Sequence, residues 1–250
     1  MTLVSAALAL AGLSAIFAAL GLGGAIVYGP VLATWYPLPT VAIPLALFLN
    51  VLTSGRALAA YGPRGWVDWR GLWPLAAVTA LAALAGSRGT HLLPPAVVAT
   101  GLGTLLLAVA AFTLWRACHP PAGGGLARAP AERRRLVSGT IGLGVGVLSG
   151  LFGIGGGVFI GPLLVALGYE ARRVAGATAF VSCAVSTAGF AGHVPMLAAP
   201  WPLMAATTGA VLAGSTAGTL WLRRTRRPHW VPFGYALLLA GLSVTLLVGP

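Results

Sequence analysis

Apolar residues run along this chain in blocks too long and too unbroken for an amphipathic surface helix, and the polar residues collect between them. Ten blocks can be drawn: roughly 3 to 20, 25 to 36, 41 to 61, 71 to 90 and 96 to 115, then 136 to 152, 157 to 168, 174 to 193, 201 to 221 and 231 to 248. A helix that crosses a bilayer needs about 20 residues, and most of these blocks approach that length. The blocks 25 to 36 and 157 to 168 do not, because twelve helical residues rise only about 18 Å against roughly 30 Å of hydrocarbon. Each of these reads as the returning arm of a hairpin that enters the membrane with its predecessor and bends at a glycine cluster.

The same order of blocks occurs twice. Residues 21–32, GLGGAIVYGPVL, lie over residues 153–164, GIGGGVFIGPLL, with six of twelve positions identical. Residues 73–87, WPLAAVTALAALAGS, lie over 201–215, WPLMAATTGAVLAGS, with ten of fifteen identical. Between them Val41-Ala42 matches Val174-Ala175, and Thr53-Ser54 matches Ser186-Thr187. The chain therefore divides into a first repeat, 1–116, a polar linker, 117–135, and a second repeat, 136–250. With a hairpin and three spanning helices, each repeat crosses the membrane an odd number of times, so the two must be inverted relative to each other. The expected fold is all-α: a polytopic helical membrane protein built from two inverted repeats.

Charge is consistent with that topology. The composition is 58% hydrophobic and 7% charged, against about 25% charged in an ordinary soluble domain. Fifteen Arg and no Lys give a net charge of +12, yet these arginines lie at the ends of blocks rather than on one basic face, so nucleic acid is not the expected partner. Under inversion thirteen of the fifteen fall on one side, in the loops near 62–70, 116–135, 169–173 and 222–230, leaving Arg88 opposite and Arg56 inside a block. The positive-inside rule makes the Arg-rich side cytoplasmic and puts both termini outside. The expected location is a bacterial inner membrane. Residues 1–20 lack a positive n-region and run straight into the first glycine cluster, so they are read as part of the mature protein.

A broken hairpin in each inverted repeat is how secondary transporters build a site at the midplane. The first amides of a helix lack intrahelical partners and carry about half a positive charge, so two short helices starting near the membrane centre would offer bare N–H groups to an anion. Gly21, Gly23 and Gly24, with Gly153, Gly155, Gly156 and Gly157, are the expected contacts, since absent side chains let an oxyanion approach the backbone. The other reading of such glycines is close helix packing, which is favoured for Gly142, Gly146, Gly150, Ala210, Gly214 and Gly218.

The second glycine cluster lies in GLFGIGGGVFIGPLL, and RRVAGATAFV comes shortly after it in the chain. These two segments, with the weaker partner GLGGAIVYGPVL, resemble the duplicated signature of the sulfite exporter TauE/SafE family of anion permeases. GWVDWR, residues 65–70, resembles the loop after the third segment in that family. The resemblance implies movement of sulfite, sulfoacetate or related organosulfur anions, usually outward. The first copy departs from the pattern with Ala25 where the second has Gly157.

Polar residues inside the third block of each repeat could complete the hydrogen bonds of such an anion without adding charge: Asn50, Thr53 and Ser54, and Thr178, Ser182, Ser186 and Thr187. Bonding to the backbone one turn earlier is the competing role of the hydroxyls. Arg56 either pairs with an oxyanion or snorkels to the inner interface. His193 is the candidate proton relay. The only acidic residues, Asp68, Glu132 and Glu170, lie in or beside loops, and no His/Cys/carboxylate grouping marks a metal, a cofactor or a catalytic centre. The expectation is a transporter working by alternating access on a small anion within the bilayer, not an enzyme, and compatible with a homodimer. A passive anion channel is the runner-up, and an intramembrane enzyme ranks last.

Overall fold

Backbone amides in lipid have no water to bond with, so a chain this apolar must close its hydrogen bonds inside helices. The computed structural model describes residues 3–20, 23–118, 130–166 and 171–224, together with 241 and 244. Among them are nine α-helices and no strand: α1 Leu3–Leu20, α2 Ala25–Ala33, α3 Ile43–Tyr61, α4 Trp69–Gly89, α5 Pro95–Cys118, α6 Ala131–Phe152, α7 Gly157–Ala166, α8 Ala171–His193 and α9 Trp201–Arg224. The block 231 to 248 lies outside the described residues except at 241 and 244, as does the linker at 119–129.

Local chemistry sets the boundaries. α2 stops at Ala33, three residues short of the expected end, where Trp35 and Tyr36 N–H both fold back onto Leu32 O. Pro37 and Pro39 then prevent continuation. A π-turn, Leu38–Ala42, leads into α3 and starts that element three residues earlier than expected. It lies where Pro39 and Pro44 remove backbone donors, so the wider turn accommodates their missing bonds. The Asp68 carboxylate accepts from Gly71 N–H at 3.0 Å and caps α4. α6 ends on Gly153, whose φ of 70° and N–H to Ser149 O at 2.9 Å form a left-handed C-terminal turn.

Which residues touch fixes the helix directions. α6 lies along α4 with residue numbers rising together: a Cβ at Gly146 would meet Thr79 O at 2.4 Å, and one at Gly150 would meet Ala83 O at 2.0 Å. Trp66 lies against Gly176 and Ser87 against Gly192, so α8 runs the same way as α4. α9 lies along α1 in the same sense, Gly214 on Ala11 and Gly218 on Ala15. Arg56 meets Thr216 and, further along α3, Tyr61 meets Ala18, so α3 shares the direction of α1 and α9. Thus α1, α3 and α9 run one way and α4, α6 and α8 the other. α2, between α1 and α3, and α7, between α6 and α8, are therefore the returning arms of hairpins. The close approaches at Gly146, Gly150, Gly214 and Gly218 are the small-residue packing that holds membrane helices together.

The packing is exchanged between the two halves of the sequence. α4 of the first half joins α6, α7 and α8 in one apolar cluster through Leu72, Leu75 and Ala76. α9 of the second joins α1, α2, α3 and α5 through Leu203 and Val211. α3 and α8 cross between the two groups. Leu8, Ile16, Leu81, Leu107 and Leu143 are exposed on the outside, where lipid replaces water as their solvent. Four of the described helical segments are long and apolar enough to cross a membrane: Leu38–Arg64, Pro95–Phe112, Arg173–Met196 and Trp201–Trp221. The protein is a multi-pass helical membrane protein.

Candidate functional site

The antiparallel seam between α3 and α8 carries hydrogen-bonding side chains near the middle of both. Asn50 lies beside the midpoint of Leu38–Arg64, and Ser182 and Ser186 flank the midpoint of Arg173–Met196. All three are 0% exposed. A buried primary amide must find partners for two acceptor and two donor positions, and Asn50 finds them on both sides of the seam. Its Oδ1 accepts from Gly24 N–H at 2.5 Å and Ala25 N–H at 3.1 Å, and its Nδ2 donates to Ser186 Oγ at 2.6 Å and Ser182 Oγ at 3.3 Å. Ser182 Oγ in turn donates to Gly155 O at 2.6 Å. One carboxamide thereby connects the start of α2 to the turn that precedes α7.

Glycine is required where the two turns close on that amide. Gly23 has φ 70° and a Cβ there would lie 2.4 Å from Asn50 Oδ1; Gly155 has φ 73° and its Cβ would lie 2.4 Å from Asn50 Nδ2 and 3.0 Å from Ala25 Cβ. The backbones of both hairpins therefore touch the same side chain. This differs from the expectation of bare amides at both starts. α2 is capped, because an amide acceptor projects from α3 at its N-terminus, which is how a buried helix end is normally satisfied. α7 is treated differently. Gly157 N–H turns back onto Gly155 O at 2.9 Å, Phe159 and Ile160 N–H bond Gly156 O, and among the described residues no side chain accepts from its first amides. Ser149 Oγ is buried without a partner and would be 3.3 Å from a Cβ on Gly156.

The remaining sequence candidates separate into groups. Thr53 joins the node indirectly: it donates to Leu49 O at 3.0 Å and shares a 3.0 Å hydrogen bond with the Tyr28 hydroxyl. Ser54 and Thr178 are buried on the same seam with hydroxyls that have no partner. Thr187 is exposed and bonds Cys183 O one turn back, so it faces away from the seam. Gly153 packs on Ile43, apart from Asn50, and Gly21 lies outside the described residues. Arg56 neither extends freely to the interface nor meets the node; its Nη2 donates to Thr216 Oγ1 on α9 at 3.0 Å. His193 is fully buried at the end of α8, with Nδ1 2.9 Å from Gly189 O, Nε2 unpaired and its ring stacked on His91 at 6.3 Å. It is far along α8 from Ser186 and does not join the node. Among the described residues no three His, Cys, Asp or Glu side chains gather as metal ligands would.

Sequence reasoning missed Tyr28 and Ser149. Tyr28 closes over Gly24, where a Cβ would fall 2.0 Å from its ring, and its counterpart in the second copy is Ile160, so comparison of the copies gave no signal. Ser149 is offset from the duplicated motif and stands where the first copy has Phe17.

The arrangement gathers hydrogen-bond donors and no carboxylate around one buried point: the Gly24 and Ala25 amides on Asn50 Oδ1, Asn50 Nδ2 on the two serines, Ser182 Oγ on Gly155 O, and the first amides of α7. Residues 5–246 match the family described as sulfite exporter TauE/SafE. The chain is 30% identical over 238 residues, 91% of its length and 92% of the relative's, to the probable membrane transporter protein y4hK of Sinorhizobium fredii. No solved structure matches it.

Proposed function

Because the chain belongs to the sulfite exporter TauE/SafE family, a family of membrane transporters, we propose that it carries sulfite or a small organosulfonate out of the cell, binding the anion at the Asn50 node. The observation that carries the reading is the convergence of two returning hairpins on one buried amide near the middle of two spanning helices. Helix starts and neutral donors recognise an oxyanion without placing a permanent cation in the membrane, whose cost would be several kcal/mol. In the arrangement described, Asn50 Oδ1 occupies the α2 amides as an oxygen of the anion would. Binding then exchanges one oxygen for another at α2 and adds new bonds at α7.

The exchanged packing of α4 and α9 supports a pair of inverted repeats, 1–116 and 136–250, that rock about the α3–α8 seam to expose the node to each side alternately. The Arg-rich loops support a cytoplasmic assignment for the ends of α3 and α4 near Arg64 and Arg70, with the N- and C-termini outside. Export of an anion needs no coupling ion, since an inside-negative potential contributes about 2.3 kcal/mol per charge per 100 mV.

Efflux of radiolabelled sulfite from proteoliposomes, with sulfoacetate and sulfate as competitors, tests this. Saturable efflux that accelerates with inside-negative potential and vanishes in Gly155→Leu supports it. Efflux indifferent to potential, or single-channel currents through the purified protein, would contradict it.

A further inference from the structure

Buried hydroxyls in these helices nearly all return their proton to the backbone. Thr53, Thr79, Thr207, Ser215 and Thr219 each donate to a carbonyl three or four residues back. Among the described residues three do not and have no other partner: Ser54, Ser149 and Thr178. A buried hydroxyl left unpaired is costly when a backbone carbonyl one turn away would satisfy it, so each of the three is a donor available to a water or a solute.

Two of the three occupy one side of the node. Thr178 continues the stripe of Ser186 and Ser182 at spacing four down α8, and Ser54 lies one turn beyond Asn50 on α3, so both sit between the node and the end of the seam that carries Arg64. On the opposite side of the node Leu47 packs on Gly189 and Ile43 on Gly153. Among the described residues no buried hydroxyl on α3 or α8 is left unpaired there, and the one unpaired polar atom on α8, His193 Nε2, belongs to a ring stacked on His91 at the helix end. Past Ser54 and Thr178 the seam is lined by small side chains, Ala57 and Ala60 of α3 and Ala175 of α8, in one buried cluster with Tyr61. It ends where Tyr61 stacks on Trp66 at 5.3 Å and the Trp66 backbone presses on Gly176.

We propose that Ser54 and Thr178 line the arm of the permeation path that joins the node to the Arg-rich face, and that their free hydroxyls bond the anion and its waters during passage. The small side chains beyond them and the Trp66 loop form the part that opens. The inference rests on the reading of the node as the substrate site, and names the side from which that site fills.

Cysteine accessibility in reconstituted and cellular membranes tests it. In a Cys118→Ser, Cys183→Ser background, single substitutions Ser54→Cys, Thr178→Cys and Leu47→Cys are treated with an impermeant anionic alkyl-sulfonate thiol reagent from each face, with Arg64→Cys identifying the Arg-rich face. From that face Ser54→Cys and Thr178→Cys react about tenfold faster than Leu47→Cys, because reactivity follows access of the thiolate to solvent, and sulfoacetate slows both. Equal rates at all three positions, or faster reaction from the opposite face, overturn the proposal. Thr178→Val and Thr178→Ser give a second readout that needs no labelling: Val lowers flux about fivefold while Ser retains it, as expected for one lost hydrogen bond in a membrane protein. Equal flux in both overturns the hydroxyl's role. If the tested anions neither move nor protect while the cysteines still react, the path stands and the substrate reading fails; intact sulfite flux with shielded cysteines gives the reverse.

Discussion

The two short helices begin from nearly the same sequence, GLGGA at 21–25 and GIGGG at 153–157, and their first amides end differently. The α2 amides are held by Asn50 Oδ1. The α7 amides meet no side-chain acceptor among the described residues, and the unpaired Ser149 hydroxyl lies near Gly156. Of the two positions that the sequence repeat aligns where α3 meets α8, one supplies the buried polar side chain of the node. Asn50 takes that place, and Cys183, its counterpart in the second copy, is turned toward an apolar groove lined by Phe180, Thr187 and Ala191. The result is one helix start held by the protein's own carboxamide and a second that meets only backbone acceptors among the described residues.

Substitutions can break that contrast in graded steps. The largest effect is expected at Gly155→Leu. A non-glycine residue at φ 73° costs about 1–3 kcal/mol, and its Cβ would already overlap Asn50, so efflux falls to background in the proteoliposome assay. Asn50→Leu comes next. It leaves the Gly24 and Ala25 amides without an acceptor at a cost of about 1–3 kcal/mol, and a lower midpoint in thermal unfolding by tryptophan fluorescence should accompany a flux loss of tenfold or so.

Smaller changes sharpen the comparison within α8. Ser182 both accepts from Asn50 and donates to Gly155, whereas Ser186 is found only as an acceptor. Ser182→Ala should therefore lower the apparent affinity for sulfite more than Ser186→Ala, by about three- to tenfold against twofold, as membrane hydrogen bonds are worth about 0.6–1.7 kcal/mol. Equal losses would show that the link to Gly155 is not used. Gly156→Ala is expected to do least. Its Cβ would find neighbours no closer than 3.3 Å, leaving backbone strain of about 1 kcal/mol, so unfolding shifts slightly and flux persists, in contrast to Gly155.

Much of this was legible from residue order. Block lengths marked α2 and α7 as too short to cross, and repetition of the glycine motif marked both turns as one kind of structure. The small-residue faces at Gly146 and Gly214 were readable because spacing by four on a helix defines a stripe. Direct capping of α2 by Asn50 was not, because it depends on how α2 folds back along α3, and a side chain 26 residues away leaves no trace in local pattern. The placement of Thr187 was hidden for a related reason: it aligns with Ser54 in the duplication, but a crossing of two helices places aligned residues on different faces. For Arg56 residue order left an oxyanion or the inner interface as alternatives, and only the packing of α9 supplied Thr216 as its partner.

The most direct test of an anion held between the two hairpins is anomalous scattering at the selenium edge from crystals grown with selenite, an oxyanion of sulfite's shape. One peak within hydrogen-bond distance of Asn50 and the first amides of α2 or α7, with the Asn50 oxygen moved off Gly24, is the predicted result. A peak confined to the Arg-rich face, with the Asn50 cap on Gly24 and Ala25 undisturbed, would contradict it.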